Sequence, residues 1–346
     1  MGILFIKLNN VKFTILVKLL MKILFFFIAL FVSSHCIRSQ NYNKVDELIR
    51  NYPSRFNDID VLADRIDNDF KSDEEKTRAI YSWLTLNIRY DYLSDNLDLS
   101  DRIVYFDATD LKRQRKKGKL KRLEKVLRNG KAICLDYSEL FKEVCDRMGV
   151  KSKIVLGFSK IYIDEIENAK KYKDHSWNVV KINDTWKLID ITWGSSLINH
   201  ISKENFENLR DYYFFTNPDE FILTHFPGKL EWQLVENKLT KEEFFKNPIL
   251  YPNYFNGKIK LANFQKGLIR TKNKRIQIYF DTIPKREKFF YALEGDKHIK
   301  PIDFKRTKDG KFVTSIKYRD SNSSNITIYS NLMPVASFKV LSSLDQ

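Results

Sequence analysis

Cysteine, proline and glycine are scarce in this chain: three, eight and eleven among 346 residues. Three cysteines cannot build a disulfide framework. So few glycines and prolines exclude a collagen-like or low-complexity chain and any long flexible linker. Acids are outnumbered, with 44 Asp and Glu against 60 Lys and Arg, a net charge of +16. No segment repeats at a solenoid period. What is present is globular: 43% hydrophobic and 30% charged residues, with length for about two domains.

The N-terminus differs from the rest. "MKILFFFIALFVSSHCIRSQ" (Met21–Gln40) runs from a lysine through an apolar stretch to small and polar residues. That is the order of a secretory signal peptide. Residues 1–39 are therefore expected to be a signal peptide with an extended basic n-region, cut near Ser39–Gln40, and the chain to be exported to the periplasm, cell surface or medium. The apolar run is short of the roughly 20 residues that a spanning helix needs. An uncleaved membrane anchor is the alternative, and no integral span is expected in the mature chain. A basic protein favours anionic partners. The charge concentrates in "KRQRKKGKLKR" (Lys112–Arg122), a solvated face or a contact for an anionic polymer or surface. No aromatic residues interleave there for bases to stack on, so nucleic acid is not an expected partner.

Residues 42 to about 93 read as helical. Ser72 followed by Asp73, Glu74 and Glu75 caps a helix start, and Ile80, Trp83, Leu84 and Ile88 keep helical spacing. After the basic segment and a helix near Cys134 come strands: "KIVLGFS" (Lys153–Ser159), "SWNVVKI" (Ser176–Ile182) and "TWKLIDI" (Thr185–Ile191). From about Ile259 only strands follow, among them "RIQIYFDTI", "KFFYALEG", "KFVTSIKY", "NITIYSN" and "VASFKVL". The expectation is an α+β domain over 42–250, helices on an antiparallel sheet, and a β-sandwich-like domain over 259–346.

Two thiols follow residue 40. Cys134 and Cys145, if on one helix, are about 16 Å apart, beyond the roughly 7 Å a disulfide allows. That spacing also disfavours a shared zinc site. Cys145 sits on the apolar stripe with Phe141 and Met148 and reads as core. Cys134 lies in the first turn, after Gly130, where unpaired N–H groups and the helix dipole favour a thiolate. In "HSWNVVKINDTWKLIDITWG" the Asn183-Asp184 turn sets a hairpin register, with Ile182 opposite Thr185. His175 and Asp190 then share a face, one diagonal step apart. An imidazole can take the thiol proton, a carboxylate can orient the imidazole, and the Cys134 N–H can face an oxyanion. His200, His225 and His298 show no carboxylate on an obvious shared strand face.

"KAICLDYSELFKEVCDRMGVKSKIVLGFS" and "HSWNVVKINDTWKLIDITWG" resemble the transglutaminase-like superfamily, which has a papain-like fold. Its pattern is a Cys at a helix start, a His followed by a small residue, Trp and Asn, and an Asp followed by a hydrophobic residue, Thr and Trp. Cys134, His175 and Asp190 fall on those positions. "DYYFFTNPDEFILTHFPGKLEWQLV" (Asp211–Val235) resembles the segment after this domain in the kyphoscoliosis-peptidase branch, and the likeness covers roughly 75–250. It implies a catalytic Cys134, His175 and Asp190, a peptide or protein substrate, and no metal or organic cofactor. Either an amide is hydrolysed or a glutamine acyl group passes to an amine through a Cys134 thioester, hydrolysis being preferred. A catalytically silent binding module for an envelope or extracellular polymer or protein is the alternative. The chain departs from the family at Asp136, where Gly is common; a carboxylate there suits the helix dipole but would crowd the cleft or raise the thiol's pKa.

Overall fold

A computed structural model describes residues 42–92, 106–195, 211–256, 259–318 and 324–342. The chain divides into two compact units, Met1–Lys44 and Val45–Gln346. The apolar run and the expected cleavage point lie outside the described residues. Among the described residues no helix is long and apolar enough to cross a membrane.

Helices α1 (Asn43–Arg50), α2 (Ile59–Asp69) and α3 (Asp73–Asn87) come first. Ser72 caps α3 as its sequence requires: its Oγ accepts from Glu75 N while Glu75 accepts from Ser72 N, both at 3.2 Å. Inside α3, Arg78 is 1% exposed, and its guanidinium donates to both Asp46 oxygens at 2.9 and 2.6 Å. A buried charge is tolerable only with such a partner.

The basic run becomes part of a 22-residue helix, α4 (Ala108–Asn129). Leu123, Val126 and Leu127 are its buried side, and it ends at Gly130, whose φ of 68° suits a residue without Cβ. A short parallel pairing of β1 (Arg89–Tyr90) with β2 (Lys131–Ala132) then delivers the chain to α5 (Cys134–Arg147).

The sheet beside α5 contains β3 (Ser152–Ser159), β4 (His175–Ile182), β5 (Thr185–Ile189), β6 (Phe214–Thr216) and β7 (His225–Pro227). Their order is β6-β5-β4-β3-β7, all antiparallel. Asn183 and Asp184 both take positive φ, 46° and 61°, as a tight hairpin turn demands. The β4–β5 ladder runs from Ile182↔Thr185 to Asn178↔Ile189, where β5 ends.

The C-terminal region is strand-rich and built of two sheets. One orders β10 (Leu268–Arg270), β17 (Met333–Leu341), β16 (Asn325–Ser330), β12 (Phe289–Leu293) and β13 (Lys300–Pro301). Strand β8 (Ile249–Leu250) pairs with β17, so this sheet reaches back before residue 259. The other orders β14 (Lys305–Arg306), β15 (Phe312–Lys317), β11 (Arg275–Thr282) and β9 (Lys260–Leu261). Alternate residues of β11 (Ile276, Ile278 and Phe280) share one apolar core with Ile326, Ile328 and Phe338 of the first sheet.

Candidate active site

Cys134 is the first residue of α5, so its N–H is among those that a helix leaves without an intrahelical partner. The thiol is partly exposed, whereas Cys145 is fully buried and burial pushes its pKa up. The two cysteines thus part as expected, one at the helix mouth and one in the core.

Helix α5 is pinned against β4 by polar contacts. Asn178 Nδ2 donates to the Ser138 carbonyl at 3.0 Å, and Ser138 Oγ donates to Ser176 Oγ at 3.2 Å. This sets His175, at the start of β4, beside Cys134. Across the sheet, a Cβ on Gly157 would lie 2.4 Å from a Trp177 ring carbon and 2.3 Å from the Phe226 carbonyl. Only glycine leaves the space in which the Trp177 ring packs.

The structure brings His175 and Asp190 together, Nε2 to Oδ2 at 2.6 Å, with His175 7% and Asp190 0% exposed. Asp190 is held from a second direction, since its Oδ1 accepts the Trp193 N–H at 2.9 Å and so caps the short helix α6 (Ile191–Gly194). With Nε2 turned to Asp190, Nδ1 is the ring nitrogen left to face Cys134, and each of the two residues shifts the other's pKa.

The electrostatics favour an ion pair. Burial alone would raise the Cys134 pKa; the hydrogen bond and charge of His175, with help from Ser176, outweigh it and bring the thiol below its ordinary value. Burial likewise opposes a charged His175, but Asp190 and Cys134 prevail and raise its pKa to about 10. Asp190, though buried, is held well below the usual carboxylate range by His175 and then His225.

Asp136 suits the helix start, as its place in the sequence leads one to expect. Its Oδ2 accepts the Ile133 N–H at 3.2 Å, closing the helix start, and its other oxygen lies 3.3 Å from Arg122. Asp190 also acts on the thiol, its charge raising the Cys134 pKa. Arg122 also engages Glu139, and Lys119 donates to Glu143 at 2.6 Å. Part of the basic run is thus spent on the acids of α5. Arg115, Lys116, Lys117 and Lys121 remain exposed.

His225 is the residue missed in the sequence. It sits on β7, which pairs with β3 through Ser159, and its Nε2 lies 2.9 Å from Asp190 Oδ2. The signal was hidden because its carboxylate belongs to a hairpin on the far side of β3. His175, Asp190 and His225 offer ligand-type atoms within 4.8 Å of one another. The 2.6 Å contact is a hydrogen bond, closer than the roughly 3.3 Å between two atoms bound to one tetrahedral zinc ion. The trio satisfies itself.

Residues 60–191 match the Transglutaminase-like superfamily. Kyphoscoliosis peptidase of Homo sapiens is 28% identical over 238 residues, 68% of this chain and 33% of that protein. Hillarin of Drosophila melanogaster is 28% identical over 214 residues, 57% of this chain and 23% of that one. Cytokinesis protein 3 of Saccharomyces cerevisiae is 26% identical over 149 residues, 42% and 17% of the two chains. The chain spans a third or less of the length of these relatives.

The relatives overturn the expectation of export. Cytokinesis protein 3 is named for cell division, a process of the cell interior. The error has a physical source: about ten apolar residues behind a lysine meet the requirement of a signal segment, yet that length suits a segment buried against protein equally well. By its matched residues and its relatives, the chain carries a transglutaminase-like domain over residues 60–191 and is similar to the kyphoscoliosis-peptidase branch.

Proposed function

We propose that Cys134, His175 and Asp190 form a thiol acyl-transfer site acting on a peptide or protein amide, within a transglutaminase-like part over 42–250 that precedes a strand-rich part from 259. The observation that supports it best is the buried 2.6 Å contact of His175 with Asp190, next to a thiol whose pKa His175 lowers against the effect of burial. The Cys134 thiolate attacks the carbonyl carbon, and the Cys134 N–H faces the oxygen that gains charge. As the C–N bond breaks, the His175 imidazolium gives its proton to the departing amine. Water or a second amine then loses a proton to His175 and attacks the thioester, and the thiolate leaves. Water is the default acceptor because it is always available.

A second reading has its own support, and the relatives weigh toward it more than toward the first. A relative named for cytokinesis fits a module that binds protein without turnover. In that reading the same cleft holds a partner, and the ion pair is a retained feature of the fold.

One experiment separates the two. Incubation with a peptide library followed by mass spectrometry of the intact protein should show an acyl adduct on Cys134, and the thiol should alkylate at mildly acidic pH. No adduct, with alkylation like that of an ordinary thiol, would leave the binding module standing alone.

A further inference from the structure

The carboxylate that His175 uses carries a second imidazole. His225 Nε2 lies 2.9 Å from Asp190 Oδ2, the oxygen that His175 Nε2 approaches at 2.6 Å. His225 is wholly buried, its ring stacked on Phe221 at 4.1 Å and set 4.4 Å from that of Trp193. It lies beyond residues 60–191, which carry the family match.

A carboxylate only accepts, so both Nε2 atoms must bear hydrogen. For a neutral His225 this leaves Nδ1 as an acceptor, and Thr224 Oγ1 stands 2.8 Å from it. The same hydroxyl is 3.3 Å from the Phe221 carbonyl, the weaker alternative. The titratable groups facing His225 are His175 from β4, Asp190 after β5, Tyr213 before β6 and, through His175, Cys134. Trp177, Trp193 and Phe221 supply uncharged rings. Burial, with the charge on His175, lowers the pKa of His225 against the pull of Asp190, while burial keeps the Tyr213 phenol protonated. At neutral pH His225 is therefore a neutral donor while His175 is charged.

Resting on the reading of Cys134 and His175 as nucleophile and base, we propose that His225 is a positioning residue of that site: its Nε2–H shares Asp190 Oδ2 with His175, so the carboxylate is fixed by two imidazoles and committed to neither alone. The consequence is a limit on the acceptor strength that His175 meets. Without the His225 donor the oxygen belongs wholly to His175, whose imidazolium keeps its proton to higher pH and yields it less readily to a leaving amine.

The test is histidine-ring NMR on the full chain, with iodoacetamide alkylation of Cys134 measured across the same pH range. In the wild type His225 should be the neutral tautomer protonated on Nε2. In His225→Phe, which keeps a stacked ring and loses the donor, His175 should titrate about one pH unit higher, roughly what one hydrogen bond to a carboxylate is worth. His225→Gln, which restores an N–H donor, should bring the midpoint back. A wild-type His225 protonated on Nδ1 overturns the proposal even if neither variant folds. So does a His175 midpoint that stays put in folded His225→Phe, or that His225→Gln moves as far. Alkylation keeps the two ideas apart: a Cys134 that reacts only as an ordinary thiol, with the histidine shifts intact, sinks the nucleophile and leaves the positioning in place.

Discussion

Asn178 Nδ2 donates to the Ser138 carbonyl at 3.0 Å, a bond from the strand that bears His175 to the helix that bears Cys134. Asn178 is wholly buried, so removing the donor leaves a carbonyl without its bond. Asn178→Ala is expected to cost about 1–3 kcal/mol, read from urea unfolding. It should also slow Cys134 alkylation at mildly acidic pH more than at alkaline pH, because only the former depends on His175 at bonding distance. An equal effect at both would assign the bond to the fold alone.

Cys134→Ala should leave the fold intact and abolish both the acyl adduct and low-pH alkylation, since Cys145 lies fully buried with its thiol pushed up by burial. Cys145→Ala should do the opposite: about 1–3 kcal/mol of stability lost to a small cavity, with Cys134 chemistry unchanged. Turnover surviving in Cys134→Ala would end the catalytic reading.

What was legible in the sequence was what is local. The Ser72 cap, the Asn183-Asp184 turn and the β4–β5 register are each set by residues a few positions apart, and all appear in the structure. The meeting of His175 with Asp190 follows from that hairpin. The pairing of Asp136 with Arg122 was not legible, because Arg122 comes from a helix whose packing no local pattern reveals. Nor was His225, on a three-residue strand docked across β3 beside Gly157. Export was misread from the first 39 residues because an apolar run behind a lysine does not by composition alone specify a destination.

The basic helix should divide by position. Arg122 faces Asp136 and Glu139 and is about one-third exposed, so Arg122→Gln should lower stability by at most about 1 kcal/mol, after allowing for solvent screening. Neutralising the exposed Arg115, Lys116, Lys117 and Lys121 together to Gln should leave the melting temperature level or slightly raised, since Lys117 and Lys121 are like charges one turn apart. If this face meets an anionic polymer, the same quadruple variant should lose affinity for heparin, and wild-type affinity should fall steeply with salt. Binding that ignores salt, or survives the neutralisation, would return the face to plain solvation.

Asp190 and His175 give stability a pH dependence of definite sign. Burial opposes both charges, but His175 is raised from 6.5 to about 10 by Asp190, and Asp190 is depressed in turn. Between those two values the folded protein keeps a proton that the unfolded chain has released, so stability falls as pH rises through that window. Below 6.5 the His175 contribution is fully present. The Asp190 contribution is present above its unfolded value and is lost only as pH falls toward its depressed one. In Asp190→Asn the charge that holds the proton on His175 is gone, and burial should bring that ring below its ordinary value. The gap in melting temperature between wild type and Asp190→Asn should therefore be widest in mild acid, below 6.5 but above the ordinary carboxylate range, and narrow steadily from 6.5 toward pH 10. Alkylation of Cys134 at mildly acidic pH should fall in the variant without vanishing, because His175 remains beside the thiol. A gap that stays constant or widens in alkali would show that the pair is not charged in the folded protein, and with it the ion pair would be lost as the basis for thiol activation.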